Sequence, residues 1–92
     1  DDDIVFPEYE VGLDNGVSID FRNDGQLEKI KAPQTGVPAS IIPAKIREYV
    51  AAHYPGVKYF EYEVDKTGYE VKISNGLELR FSSSFHLVDI DD

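Results

Sequence analysis

The sequence predicts an α+β domain: an antiparallel β-meander built from two tandem repeats, with one α-helix over about residues 39–54 packed on one face. Three observations predict it. Residues 9–30 (YEVGLDNGVSIDFRNDGQLEKI) return as residues 69–90 (YEVKISNGLELRFSSSFHLVDI), gap-free at an offset of 60, with eight of 22 positions identical. Apolar and charged residues alternate with period two on either side of an Asn-Gly in both copies. Between the copies, apolar residues fall at helical spacing between two proline signals. A repeat that keeps apolar positions and turn residues keeps a folding unit.

The second copy gives its register. Tyr69, Val71 and Ile73 alternate with Glu70 and Lys72, and Leu77, Leu79 and Phe81 with Glu78 and Arg80. A two-residue turn at Asn75-Gly76 would set Ile73 against Glu78, which the pleat forbids, because facing residues share a side. A three-residue loop, Ser74-Asn75-Gly76, restores agreement, with Gly76 in the left-handed region. Ile73 then faces Leu77, Val71 faces Leu79 and Tyr69 faces Phe81. On the other side Lys72 meets Glu78 and Glu70 meets Arg80.

The first copy predicts the same pairing: Leu13 with Val17, Val11 with Ile19, Tyr9 with Phe21. Its polar side sets Glu10 against Asp20, a mildly unfavourable pair that solvent tolerates or a bound group neutralises. A third strand follows each hairpin. Asn23-Asp24-Gly25 turns the chain into 26–30, where the spacing of Leu27 and Ile30 breaks period two and predicts a bulge. The second copy has Ser83, Ser84 and Phe85 at that turn. Phe is poorly suited to positive φ, so a differently shaped turn is expected there, with Phe85 packing inward.

Residues 31–38 (KAPQTGVP) form a turn-rich linker. Ile42, Ile46, Tyr49, Val50 and His53 follow at helical spacing. Pro43 suits the first turn, and Pro55-Gly56 stops the helix. Residues 58–64 read as a strand with Phe60, Tyr62 and Val64 on one side and Tyr59, Glu61 and Glu63 on the other. The whole chain, 1–92, is expected to be a single domain, with unit one about 1–30 and unit two about 39–92. Unit two carries a helix and unit one does not. Ile4–Phe6 makes at most a short strand limited by Pro7. The missing first-repeat helix would leave apolar sheet bare. Either an N-terminal helix has been removed, or a second chain covers the gap as a homodimer.

Composition narrows the function. A chain of 92 residues buries only about 60–65% of its unfolded surface. Six Tyr and five Phe supply core material in the absence of Trp. No Cys means no disulfide, thiol nucleophile or thiolate metal site. No Met means no initiator, which predicts a processed or trimmed start. No apolar run reaches membrane-spanning length. The net charge of −9 repels phosphate backbones and argues against nucleic acid. Acids gathered at Asp1-Asp2-Asp3 and at Asp89, Asp91 and Asp92 read as solvated termini.

No catalytic, cofactor or metal constellation is expected. His53, on the apolar side of the helix near its end, reads as a half-buried structural residue favoured by the C-terminal dipole. His86 reads as surface-facing. Two isolated histidines lack metal-ligand spacing. Ser82-Ser83-Ser84 is a turn, and no sequence cue ties a base to it. Asp20, Asp24 and Gly25 mimic the start of an EF-hand, but Arg22 and Lys31 occupy ligand positions, so the loop fails. A looser calcium contact at Glu10 and Asp20 stays open. The alternating aromatics fit the core. Tyr59, among Glu61 and Glu63 on the polar phase, is expected to be an exposed contact residue.

Val37-Pro38 before the helix, Tyr54-Pro55-Gly56 at its end, Gly68-Tyr69-Glu70-Val71-Lys72, Ser74-Asn75-Gly76-Leu77-Glu78-Leu79 with Phe81, and the terminal Ile90-Asp91-Asp92 together resemble the PepSY-like family, a group described as β-lactamase-inhibitor-like periplasmic proteins. The resemblance spans nearly the whole chain. It implies an exported protein of Gram-negative bacteria, periplasmic or secreted, with two tandem units each bearing a helix. It implies no catalytic residues.

The functional expectation is a non-enzymatic binding or inhibitor-like module that engages an unidentified protein, favourably a basic one, through the open sheet face. Tyr59, Glu61, Glu63, Glu70, Lys72, Glu78 and Arg80 would form that face, with Glu10 and Asp20 beside them. The alternatives are a small-ligand or calcium-binding carrier using the bare apolar sheet or the Glu10/Asp20 pair, and a structural piece of a larger envelope protein.

Overall fold

The computed structural model describes residues 9–12, as backbone, and residues 16–92. Among the described residues, seven antiparallel strands form one sheet in chain order: β1 (Tyr9–Gly12), β2 (Ser18–Phe21), β3 (Leu27–Lys31), β4 (Tyr59–Asp65), β5 (Gly68–Ile73), β6 (Glu78–Ser82) and β7 (Leu87–Asp91). A short 3-10 turn (Ala39–Ile41) and one α-helix, α1 (Ala44–His53), lie between β3 and β4. The expected α+β meander with its helix is what forms. The α-helix is shorter than 39–54 because Pro43 caps it: the Pro43 carbonyl accepts from Ile46 and Arg47 at 3.1 and 3.0 Å.

The hairpins carry the expected registers. Tyr69↔Phe81, Glu70↔Arg80 and Val71↔Leu79 pair β5 with β6. Tyr9↔Phe21, Glu10↔Asp20 and Val11↔Ile19 pair β1 with β2. The β5–β6 loop is Ser74-Asn75-Gly76: Ile73 N–H donates to Leu77 O and Gly76 N–H to Ile73 O, each at 3.0 Å, and Gly76 has φ +95°. The matching loop between β1 and β2, the Leu13/Val17 pair, the Ile4–Phe6 strand and the first-unit helix fall wholly or partly outside the described residues.

The two third-strand turns share one shape, contrary to expectation. Arg22 N–H donates to Gln26 O and Gly25 N–H to Arg22 O, at 2.7 and 2.8 Å. Ser82 N–H donates to His86 O and Phe85 N–H to Ser82 O, at 2.8 and 2.9 Å. Phe85 takes φ +69° in the place where Gly25 takes +88°. Its half-buried ring stacks on Tyr69 at 4.8 Å and 13°, so packing outweighs the backbone preference. Each turn is followed by a bulge, which falls at Glu28 and Val88.

A third bulge corrects the reading of β4. Tyr59 pairs with Ile73 but Glu61 pairs with Lys72, leaving Phe60 extra. The phase therefore flips within the strand. Tyr59 points into the core, 8% exposed, and not among Glu61 and Glu63. Phe60 is half-buried.

The core lies between α1 and one face of β3–β6. Ile42, Ile46 and Val50 cluster with Ile30, Tyr59, Tyr62, Val71, Ile73, Leu79 and Phe81. Tyr49 meets Phe81 edge-on at 5.5 Å. The linker lies along β4, with Ala32 N–H donating to Phe60 O and Val37 N–H to Tyr59 O. Val17, Ile19 and Leu27, on β3 and the β2 side of the sheet, are only partly buried against this core. His53 corrects a second expectation. It is exposed, stacked on Tyr49 at 4.1 Å, with Nδ1 bonded to the Tyr49 carbonyl at 3.0 Å.

Candidate binding face

The sheet face opposite α1 is charged. Strand alternation puts Lys29 of β3, Glu61 and Glu63 of β4, Glu70 and Lys72 of β5, and Glu78 of β6 around one open groove of about 270 Å³. Register sets the contacts: Lys29 faces Glu63, Lys31 faces Glu61, Glu61 faces Lys72, Glu63 faces Glu70 and Lys72 faces Glu78. A chain of ion pairs crosses four strands. Lys29 Nζ lies 3.8 Å from Glu61, and Lys72 Nζ lies 3.6 Å from Glu61 and 3.3 Å from Glu78. The Glu61 and Glu78 carboxylates raise the Lys72 pKa.

Two cations against four carboxylates leave the groove acidic. Partial burial, followed by a hydrogen bond and repulsion from Glu78 and the charge of Glu63, pushes the Glu70 carboxyl up. The same hydrogen bond, with help from Lys72, holds Glu78 down.

Arg80 stands off the groove. Its Nη2 donates to Asp65 Oδ2 and Oδ1 at 2.7 and 2.9 Å and also bonds Thr67 Oγ1. The Glu70 carboxylate is 4.0 Å from Arg80 Nη1. Asp65 also organises the β4–β5 turn, accepting from Thr67 N–H and Gly68 N–H at 2.8 and 3.0 Å. The Arg80 hydrogen bond, above all, holds its carboxyl down at about 2.

Asp20 does not line this groove, although its cross-strand neighbour Lys29 does. It pairs with Glu10 on one side and Lys29 on the other. Its Oδ1 is buried and accepts no hydrogen bond among the described residues. No group of three or more His, Cys, Asp or Glu side chains among the described residues forms a metal site. The Ser82 hydroxyl belongs to its turn, accepting from His86 N–H at 3.2 Å.

The profile of the family described as "Putative beta-lactamase-inhibitor-like, PepSY-like" matches residues 7–89. The chain belongs to this PepSY-like family. Three crystal structures share its fold. One, from Bacteroides thetaiotaomicron and described as a "putative calcium-regulated periplasmic protein", is 43% identical with a TM-score of 0.92, over 96% of this chain and 69% of that one. A second, from Bacteroides vulgatus and described as a "putative periplasmic protein" of the DUF2874 family, is 38% identical with a TM-score of 0.89, over 92% and 67% of the two chains. A third, also from Bacteroides vulgatus and of unknown function, is 32% identical with a TM-score of 0.87, over 92% and 68%. No functionally curated protein matches. The PepSY-like family is not a known enzyme family, and no helix among the described residues is long and apolar enough to cross a membrane.

Of the residues singled out from the sequence of this PepSY-like chain, Glu61, Glu63, Glu70, Lys72 and Glu78 come together in the groove. Arg80 is drawn to Asp65, and Tyr59 is withdrawn into the core. Sequence reasoning missed Lys29 and Asp65. The bulge at Glu28 put Lys29 out of phase. Asp65 carried a readable signal, since Asp-Lys-Thr-Gly between two strands is a turn whose Asp caps backbone N–H groups.

Proposed function

We propose that this chain is a non-catalytic periplasmic binding module that engages a protein partner through the charged face of its sheet. The observation that carries this is the groove of about 270 Å³, where Lys29 and Lys72 are set against Glu61, Glu63, Glu70 and Glu78. Exposed pairs of this kind are each worth about 0–1 kcal/mol to stability. They exchange readily for contacts with a partner. The acidic excess favours a basic partner surface and association that weakens with salt. The inhibitor-like family description and the periplasmic relatives support the same reading.

The test is capture from periplasmic extract at low and high salt, with wild type beside Glu61→Lys/Glu78→Lys. A partner retained only at low salt and lost in the variant is expected. Capture of nothing, or equal capture by the variant, would overturn the proposal.

A calcium-binding role is the second reading. It is favoured by the buried Asp20 Oδ1, which accepts no hydrogen bond among the described residues and whose strand position pairs with Glu10, and by the description of the Bacteroides thetaiotaomicron structure. Binding only the folded chain would raise the melting temperature with calcium. That rise should vanish in Asp20→Asn. A melt indifferent to millimolar calcium would dismiss it.

A further inference from the structure

The outer edge of β7 has a paired counterpart within the same sheet. β3 and β7 each follow a hairpin and pair back on it in matching register. Ile30 pairs with Ile19 and Lys29 with Asp20, while Ile90 pairs with Leu79 and Asp89 with Arg80. β3 is covered along its second edge by β4, through Lys29↔Glu63, Ile30↔Tyr62 and Lys31↔Glu61. Among the described residues β7 pairs only with β6.

The difference appears in burial. Ile30 is 3% exposed. Ile90 is 45% exposed, although its cross-strand partner Leu79 is fully buried. Ile90 thus extends the core face beyond its last covered strand, with Val88 beside it at 58%.

The charges at the two edges are opposite. β3 offers Lys29-Ile30-Lys31 and receives Glu61-Tyr62-Glu63. β7 offers Asp89-Ile90-Asp91. The same ladder logic calls for a strand with a large apolar residue opposite Ile90 and cations opposite Asp89 and Asp91. A second copy is a poor occupant. Antiparallel β7–β7 pairing would bring like-charged aspartates together, the usual defence of an edge against self-association.

We propose that the outer edge of β7 is a strand-addition site for a basic, extended segment of another protein, in which Lys or Arg flank a central aromatic or large aliphatic residue. Backbone hydrogen bonds supply affinity, and the alternation supplies register. The site lies on a sheet edge and not in the groove, so failure of one leaves the other standing.

The test uses the 92-residue chain and three synthetic peptides. One alternates Lys with Tyr and Val, one has the same composition with its lysines clustered, and one has Glu in place of every Lys. Amide exchange and NMR shifts are followed at low salt. The alternating peptide is expected to shift residues 88–91 and protect β7 amides, with the other two binding about tenfold or more weakly. Asp89→Lys/Asp91→Lys, at two exposed positions, should transfer the preference to the Glu peptide. Equal binding of the alternating and clustered lysine peptides would reduce the effect to general attraction and overturn the proposal. So would shifts confined to groove residues, or β7 protected by self-association without peptide.

Discussion

A β-carbon on Gly68 would lie 2.0 Å from the carbonyl oxygen of Phe81. Gly68 also has φ +154° and follows the turn that Asp65 holds. The close approach lets β5 and β6 stay paired as the chain leaves the turn. Gly68→Ala should separate the strands and cost about 3 kcal/mol or more. Gly76→Ala, at φ +95° in open space, meets only backbone strain and should cost about 1–2 kcal/mol. Urea midpoints of the two variants check the order.

Phe85 sets strain against packing. Its left-handed backbone is unfavourable for a side chain, while its ring stacks on Tyr69. Phe85→Gly relieves the first and loses the second, so it should change stability by less than about 1 kcal/mol. Phe85→Ala keeps the strain and loses the stack, and should be the worse variant by about 1 kcal/mol. Thermal melts of both decide the matter, and the smaller residue is expected to melt higher.

Tyr59 belongs to the core, where burial pushes its hydroxyl pKa up. Tyr59→Ala should destabilise by about 3 kcal/mol, as large core truncations do. Tyr59→Phe should cost far less and leave partner capture unchanged. Denaturant titration of the pair, with capture by the Phe variant, checks both points.

The Asp65–Arg80 pair predicts an acid limb. The Asp65 carboxyl sits at about 2 when folded, below its ordinary 3.8. A depressed carboxyl stabilises above its unfolded value, and that contribution disappears as pH falls through the folded value. The loss should run between about pH 4 and pH 2. The Asp65 side chain is 40% exposed, so solvent screening limits the effect to about 0.5–1 kcal/mol. Asp65→Asn should flatten this limb in melts taken across that range.

Most of the fold was legible because two independent faces of each hairpin had to agree. Ile73 with Leu77 and Lys72 with Glu78 admit one register, and the structure has it. What escaped was local phase. A bulge adds a residue without changing composition, so nothing in Tyr59-Phe60-Glu61 says that its first two members break step. The same device hid Lys29 behind Glu28. At Phe85, backbone preference was readable but the stacking that overrides it was not, since Tyr69 and Phe85 lie in different strands' neighbourhoods until the sheet is assembled. The groove's five sequence-legible members all come from strand segments without an inserted residue between them and their turn.

The strand order repeats the chain order, so each strand finds its neighbour among the residues just made. Only the step from β3 to β4 requires a long closure, because α1 and its flanking segments intervene. Loop-closure entropy therefore concentrates in that one junction. Joining the two halves of the sheet is the entropically costly closure, and α1 lies in the segment that spans it.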